Sequence, residues 1–125
     1  MNELHECIVG IGSNIEPEKN INLAIDLLRK DFEVLAASSL ILTSPVGIAD
    51  QPDFLNGAVK LVVNHEFESF IMHLKAIENQ LKRDRNGPRF GPRTIDLDVV
   101  VWDGKIVDKD YFTRDFLKIS VDEIL

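Results

Sequence analysis

One cysteine, one tryptophan and one tyrosine are all that the chain holds of those residues, and each scarcity excludes something. With Cys7 alone, no internal disulfide can form. A disulfide-stapled extracellular scaffold is therefore excluded, and a reducing cytoplasm is the expected home. Cys7 lies in an apolar run and reads as a buried inert thiol rather than a nucleophile. No apolar stretch reaches the length of a membrane span. The start, Met1 to Glu6, is acidic rather than basic and does not read as a secretory leader. The three histidines, His5, His65 and His73, show no ligand spacing. Repeats, low-complexity segments and linkers are also lacking, so a single domain over residues 1–125 is expected. Basic residues are outnumbered 14 to 21, a net charge of −7, which argues against general binding to nucleic acid. An RNA-binding sheet would also want aromatics among basic residues on its strands, and Phe54 to Val59 lacks that pattern.

What is present is a globular composition with a strong local exception. Hydrophobic residues make up 45% of the 125 residues, enough for one ordinary core. Five of the 14 basic residues, Lys82, Arg83, Arg85, Arg89 and Arg93, fall between positions 82 and 93, where Asp84 is the only acid. A basic patch of net +4 in an acidic chain suits a small, highly charged anion better than a long polyanion.

Residues 7–12 read as a first strand, with Gly10 and Gly12 permitting close backbone approach. Pro17 fits the first turn of a helix continued by Ile21, Ala24, Ile25 and Leu28. A second strand is expected over 34–43, and a loop over 44–53, rich in proline, glycine and aspartate. A third strand carries Leu55, Ala58, Leu61, Val62 and Val63, with Phe54 at its entrance. Asn64 is the expected N-cap of a second helix with an apolar stripe through Phe67, Phe70, Ile71, Leu74, Ile77 and Leu81. A second glycine- and proline-containing loop spans 84–93, and Ile95 to Trp102 forms the fourth strand. Asp103-Gly104 is a type I′ hairpin signal leading to Lys105–Val107. Residues 109–125 carry no clear assignment. The expected fold is α+β: a ferredoxin-like βαββαβ antiparallel sheet with two helices packed on one face, plus a small C-terminal hairpin.

Asp96 and Asp98 are two apart on a strand, so both side chains point to one face. Such a pair could hold Mg²⁺ bridging phosphate oxygens. Alone, the pair reads more readily as a polar face alternating with Ile95, Leu97 and Val99 than as a metal site. The arginines just before it tip the reading, because a divalent metal and several guanidinium groups are what a polyphosphate needs. Phe54 followed by Asn56 offers an aromatic face beside an amide, able to stack on and hydrogen-bond a flat heterocycle. Phe90, within the basic loop, either staples that loop or covers a planar ring. Glu78 sits at the edge of the second helix's stripe, where a solvated glutamate is expected. Gly12-Ser13-Asn14 is a fragment of a phosphate-binding turn without a full nucleotide fingerprint.

Together these segments resemble the 6-hydroxymethyl-7,8-dihydropterin pyrophosphokinases of folate biosynthesis. The likeness runs through Gly12-Ser13-Asn14, through Ser44-Pro45-Val46-Gly47 and Asp50 to Asn56, and through Glu78. It ends in Arg89-Phe90-Gly91-Pro92-Arg93-Thr94-Ile95-Asp96-Leu97-Asp98. The resemblance implies that Asp96 and Asp98 bind two Mg²⁺ ions across the phosphates of ATP, and that Arg83 and Arg93 join them in catalysis. It implies an ATP-binding set of Glu78, Arg83, Arg85, Arg89, Arg93 and Arg114. It implies a pterin site formed by Thr43, Ser44, Pro45, Val46 and Asn56, with Phe54, Phe90 and Phe116 as its aromatics. The substrate hydroxyl would attack the β-phosphorus of ATP, releasing AMP, with loop closure rather than a strong general base completing the site. The expected partners are these two small molecules, with no nucleic acid and no membrane.

The sequence departs from the family in two places. A histidine-containing segment usual after the hairpin is absent, because Asp110-Tyr111-Phe112-Thr113 runs straight into Arg114. The usual extension beyond Glu123-Ile124 is also absent. These departures leave a second expectation, a shortened pterin-binding relative with weak or no catalysis.

Overall fold

Cys7 to Ser13 are all buried, and this uninterrupted burial marks the central strand of the sheet. In the computed structural model, which describes residues 3–45, 47, 50–82 and 94–125, β1 (His5–Ser13) lies between two antiparallel neighbours, β4 (Phe54–Val63) and β5 (Asp96–Trp102). Among the described residues the sheet has six strands, five of them in the order β2-β4-β1-β5-β6, with β2 (Glu33–Ala37) and β6 (Lys105–Ile106) at its ends. The short β3 (Ile41–Thr43) also pairs with β4. This is the expected α+β arrangement, antiparallel throughout.

Helices α1 (Pro17–Asp31) and α2 (Phe67–Gln80) cover one face. Pro17 opens α1, and Ile21, Ala24 and Leu28 form its buried stripe. Phe70, Leu74 and Ile77 do the same for α2. Both stripes pack on the alternate residues Val9, Ile11, Leu61, Ile95, Leu97 and Val99, as the two-residue period of a strand requires. Cys7 belongs to this core, and burial pushes its thiol up to about 12, so it is an inert packing residue at neutral pH.

Three expectations are corrected. The single strand over 34–43 is two, because the chain leaves the ladder at Ser38. The Ser38 hydroxyl accepts the Ala58 N–H at 2.8 Å, and the Ser38 N–H donates to the Ala58 carbonyl. Gly57 makes room for this crossing: a Cβ there would stand 2.7 Å from Leu40 Cδ2. The cap of α2 is Glu66, in extended backbone, and not Asn64. The unassigned tail is helical, forming α3 (Asp110–Thr113) and α4 (Asp115–Ile124). The hairpin turn is as expected, with Asp103 and Gly104 at φ 48° and 82°, the left-handed pair that type I′ demands.

The tail helix changes the layering. It lies on the face opposite α1 and α2, where Leu117 and Val121 join Ile8, Ala58 and Val100 in a second core. Gly10 of β1 permits the approach, since a Cβ there would stand 3.2 Å from Leu117 Cδ1. Tyr111 ties α3 to α4: its hydroxyl donates to Asp122 at 2.7 Å, and Lys118 reaches the same carboxylate at 2.6 Å. The Lys118 ammonium holds Asp122 below the usual carboxylate range and is itself raised by Asp122.

Candidate functional site

Helix α4 covers only part of its face, and beside it lies a cleft of about 1030 Å³ that extends past β5 to residues of α2 such as Lys75 and Glu78. Its floor is set by strand register. Gly12 pairs with Asn56 on one side and with Asp96 on the other. Gly10 pairs likewise with Ala58 and Asp98. Residues opposite one another in antiparallel strands project to the same face. An amide and a carboxylate therefore flank Gly12 in one row, and Asp98 follows in the next. Asp96 is partly buried, whereas Asp98 is exposed.

Asn56 is fixed in orientation. Its Nδ2 donates to Thr43 Oγ1 at 2.6 Å, and its Oδ1 lies 2.8 Å from where a Cβ on Gly12 would stand. Phe54 stands two residues earlier on β4 and is partly buried. Thr43 and Ser44, at the end of β3, form one wall, and Arg114 and Phe116, at the start of α4, form another. A groove of about 640 Å³ lies between those walls, lined by Thr43, Ser44 and residues 113–116. The Arg114 guanidinium is steadied by Asp110, with Nε 3.4 Å from the carboxylate.

The structure thus brings together Thr43, Ser44, Phe54, Asn56, Glu78, Asp96, Asp98, Arg114 and Phe116 around one cleft. Pro45 lies next to Ser44 and is partly buried, outside the lining. Val46, Arg83, Arg85, Arg89, Phe90 and Arg93 lie outside the described residues.

Glu78 is not the solvated residue expected. It is 4% exposed, and its Oε2 accepts the Leu97 N–H at 2.8 Å. Among the described residues β6 pairs with Val101 and Trp102 and does not reach Leu97; there α2 supplies the acceptor across the sheet edge. Gly12-Ser13-Asn14 also does other work than a phosphate turn. The buried Asn14 amide donates to Gln51 Oε1 at 2.9 Å and to the Pro52 carbonyl at 3.0 Å, holding the segment that leads into β4.

Lys75, Lys109 and Leu117 also line the cleft, and sequence reasoning gave them no role. For Leu117 a signal existed, since Leu117, Ser120, Val121 and Ile124 follow helical spacing. Lys109 sat in the unassigned tail.

The aspartate pair fits a hard cation that takes oxygen ligands and keeps part of its hydration. Among the described residues no group of three or more His, Cys, Asp or Glu side chains could hold a metal. A cation at Asp96 and Asp98 would therefore complete its shell with water and substrate oxygens, as Mg²⁺ does beside phosphates. No helix among the described residues is long and apolar enough to cross a membrane.

Comparison with known proteins agrees with this geometry. The chain is 37% identical over 103 residues to 2-amino-4-hydroxy-6-hydroxymethyldihydropteridine pyrophosphokinase of Pseudomonas aeruginosa, covering 80% of this chain and 63% of that protein. It is 34% identical over 105 residues to the Bacillus subtilis protein of the same name, covering 82% and 62%. It is 36% identical over 99 residues to the folate synthesis bifunctional protein of Arabidopsis thaliana, covering 78% of this chain and 20% of that one. The chain thus spans less than two thirds of the length of each of these relatives. Residues 8–125 match the family model described as 7,8-dihydro-6-hydroxymethylpterin-pyrophosphokinase (HPPK), and the chain belongs to that family.

Proposed function

We propose that this chain transfers a pyrophosphoryl group from ATP to the hydroxymethyl group of 6-hydroxymethyl-7,8-dihydropterin, releasing AMP. The observation that carries the reading is the row Asn56–Gly12–Asp96. It sets a group suited to a flat lactam heterocycle beside a group suited to a metal-bound phosphate, separated only by a glycine.

Asn56, oriented by Thr43, hydrogen-bonds the ring, and Phe54 and Phe116 supply aromatic faces for stacking. Bound at Asp96 and Asp98, Mg²⁺ would neutralise charge on the phosphates. Arg114, braced by Asp110, adds a cation on the same side. Arg83, Arg85, Arg89 and Arg93 complete the nucleotide set, and Phe90 joins the pterin contacts. The substrate oxygen attacks the β-phosphorus as AMP leaves, and positioning with charge stabilisation carries the reaction. The free buried thiol of Cys7 is in keeping with a cytoplasmic setting.

The test is AMP release from ATP and Mg²⁺ with and without the pterin. Pterin-dependent AMP supports the proposal. No AMP from a folded protein that still binds the pterin would leave a non-catalytic pterin binder.

A further inference from the structure

The two walls of the cleft are joined at their far ends by one carboxylate. Glu123, in the last turn of α4, accepts the Ser39 N–H at 2.5 Å and the Ser39 hydroxyl at 2.9 Å. Ser39 lies in the crossing between β2 and β3. Four and five residues on from it, Thr43 and Ser44 form the β3 wall. Seven residues back from Glu123 along α4, Phe116 stands on the opposing wall, across the groove.

We propose that Glu123 is a positioning residue for the pterin, acting through Ser39 to set the gap between the β3 wall and the stacking face of Phe116. The inference rests on the pterin reading above. The crossing leaves the ladder after Ser38, which is tied to Ala58 by one backbone and one side-chain bond, and Ser39 beyond it is held by Glu123. Two charge-assisted bonds to one carboxylate tie the crossing to α4 at the surface. Helix α4 has separate anchors at the same end, Asp122 to Tyr111 of α3 and the Leu125 carbonyl to Lys60, and its Leu117 and Val121 are packed in the second core. Releasing Glu123 therefore leaves α4 in place and frees the crossing, and with it the β3 wall. Asp96 and Asp98 sit on β5, outside this linkage, and Arg114 keeps its brace to Asp110.

The consequence is a ligand-specific effect. In Glu123→Ala, the dissociation constant for 6-hydroxymethyl-7,8-dihydropterin should rise about tenfold, while that for a non-hydrolysable ATP analogue with Mg²⁺ should change by no more than about threefold. KM for the pterin should rise with kcat nearly unchanged. Glu123→Gln keeps one acceptor and should recover part of the loss. Ser39→Ala keeps the backbone bond and should show a smaller rise, which provides a test should Glu123→Ala fail to fold. Titration calorimetry on the full chain, with thermal melting alongside, reads all of these. A lowered melting temperature with unchanged pterin affinity would make Glu123 purely structural, and equal losses for both ligands would also overturn the inference. If the unaltered protein bound ATP but no pterin, the functional reading itself would fail, and this inference with it.

Discussion

Gly12 and Asn56 are cross-strand partners in which the absence of one side chain makes room for the other. Asn56 Oδ1 lies 2.8 Å from the point where a Cβ on Gly12 would stand. The backbone of Gly12 has no positive φ, so the glycine is required by space and not by conformation. Gly12→Ala would push the amide aside and strain its 2.6 Å bond to Thr43. Pterin affinity should fall roughly 10- to 100-fold, about the value of one or two hydrogen bonds. Stability should change little, because the amide faces the cleft. Titration with the pterin checks this, and an unchanged affinity would mean that Asn56 does not touch the ring.

Asp98 tests the metal argument. Its side chain is exposed on the cleft face, so Asp98→Ala should leave the thermal midpoint near that of the unaltered protein. Turnover should fall at least about 100-fold if several kcal/mol of charge stabilisation are lost with the cation. Unfolding of the variant would mean that the aspartate supports the strand. Undiminished turnover would remove Asp98 from the metal set.

The sheet and both helices on its first face were legible because their periods are clean. The apolar run of β5 and the stripe of α2 are set by residue type alone. The aspartate pair, Phe54 and Asn56 were legible for the same reason, since strand alternation sends both pairs to one face. What escaped depended on distant partners. The break at Ser38 comes from its hydroxyl replacing a ladder contact on β4, which no local pattern announces. Glu78 looked like a surface residue at the margin of a stripe, and its burial comes with its bond to the distant Leu97 N–H on β5. Helix α4 lacks a side-chain cap at Arg114, so its start carried no signal although its apolar spacing did.

Glu78 separates a role in the fold from a role in binding. Glu78→Ala would leave the Leu97 N–H without its acceptor at a buried edge, at a cost of about 1–3 kcal/mol. Denaturant midpoints should shift accordingly with an unchanged slope. Stability equal to that of the unaltered protein, together with a large loss of nucleotide affinity, would instead assign Glu78 to ATP contact alone.

The far end of the sheet carries a pH dependence independent of the site. His5 Nδ1 lies 2.6 Å from Asp103 Oδ2, which sits in the hairpin turn, and the His5 ring stacks on Trp102. The bond to Asp103, helped by the charges of Glu66 and Glu3, raises His5 above its ordinary 6.5. The bond to His5, with the Glu6 N–H, holds Asp103 below its ordinary 3.8. Protonated His5 is thus favoured by folding, and its contribution is complete below pH 6.5 and lost as pH rises through the raised value. The Asp103 contribution is complete above pH 3.8 and lost as pH falls through the lowered value. Between those limits the pair contributes fully, so melting temperature should decline as pH climbs above 6.5. His5→Gln should remove that decline while leaving the rest of the profile in place. Parallel profiles for the two proteins across pH 5 to 9 would show that the contact does not persist in solution.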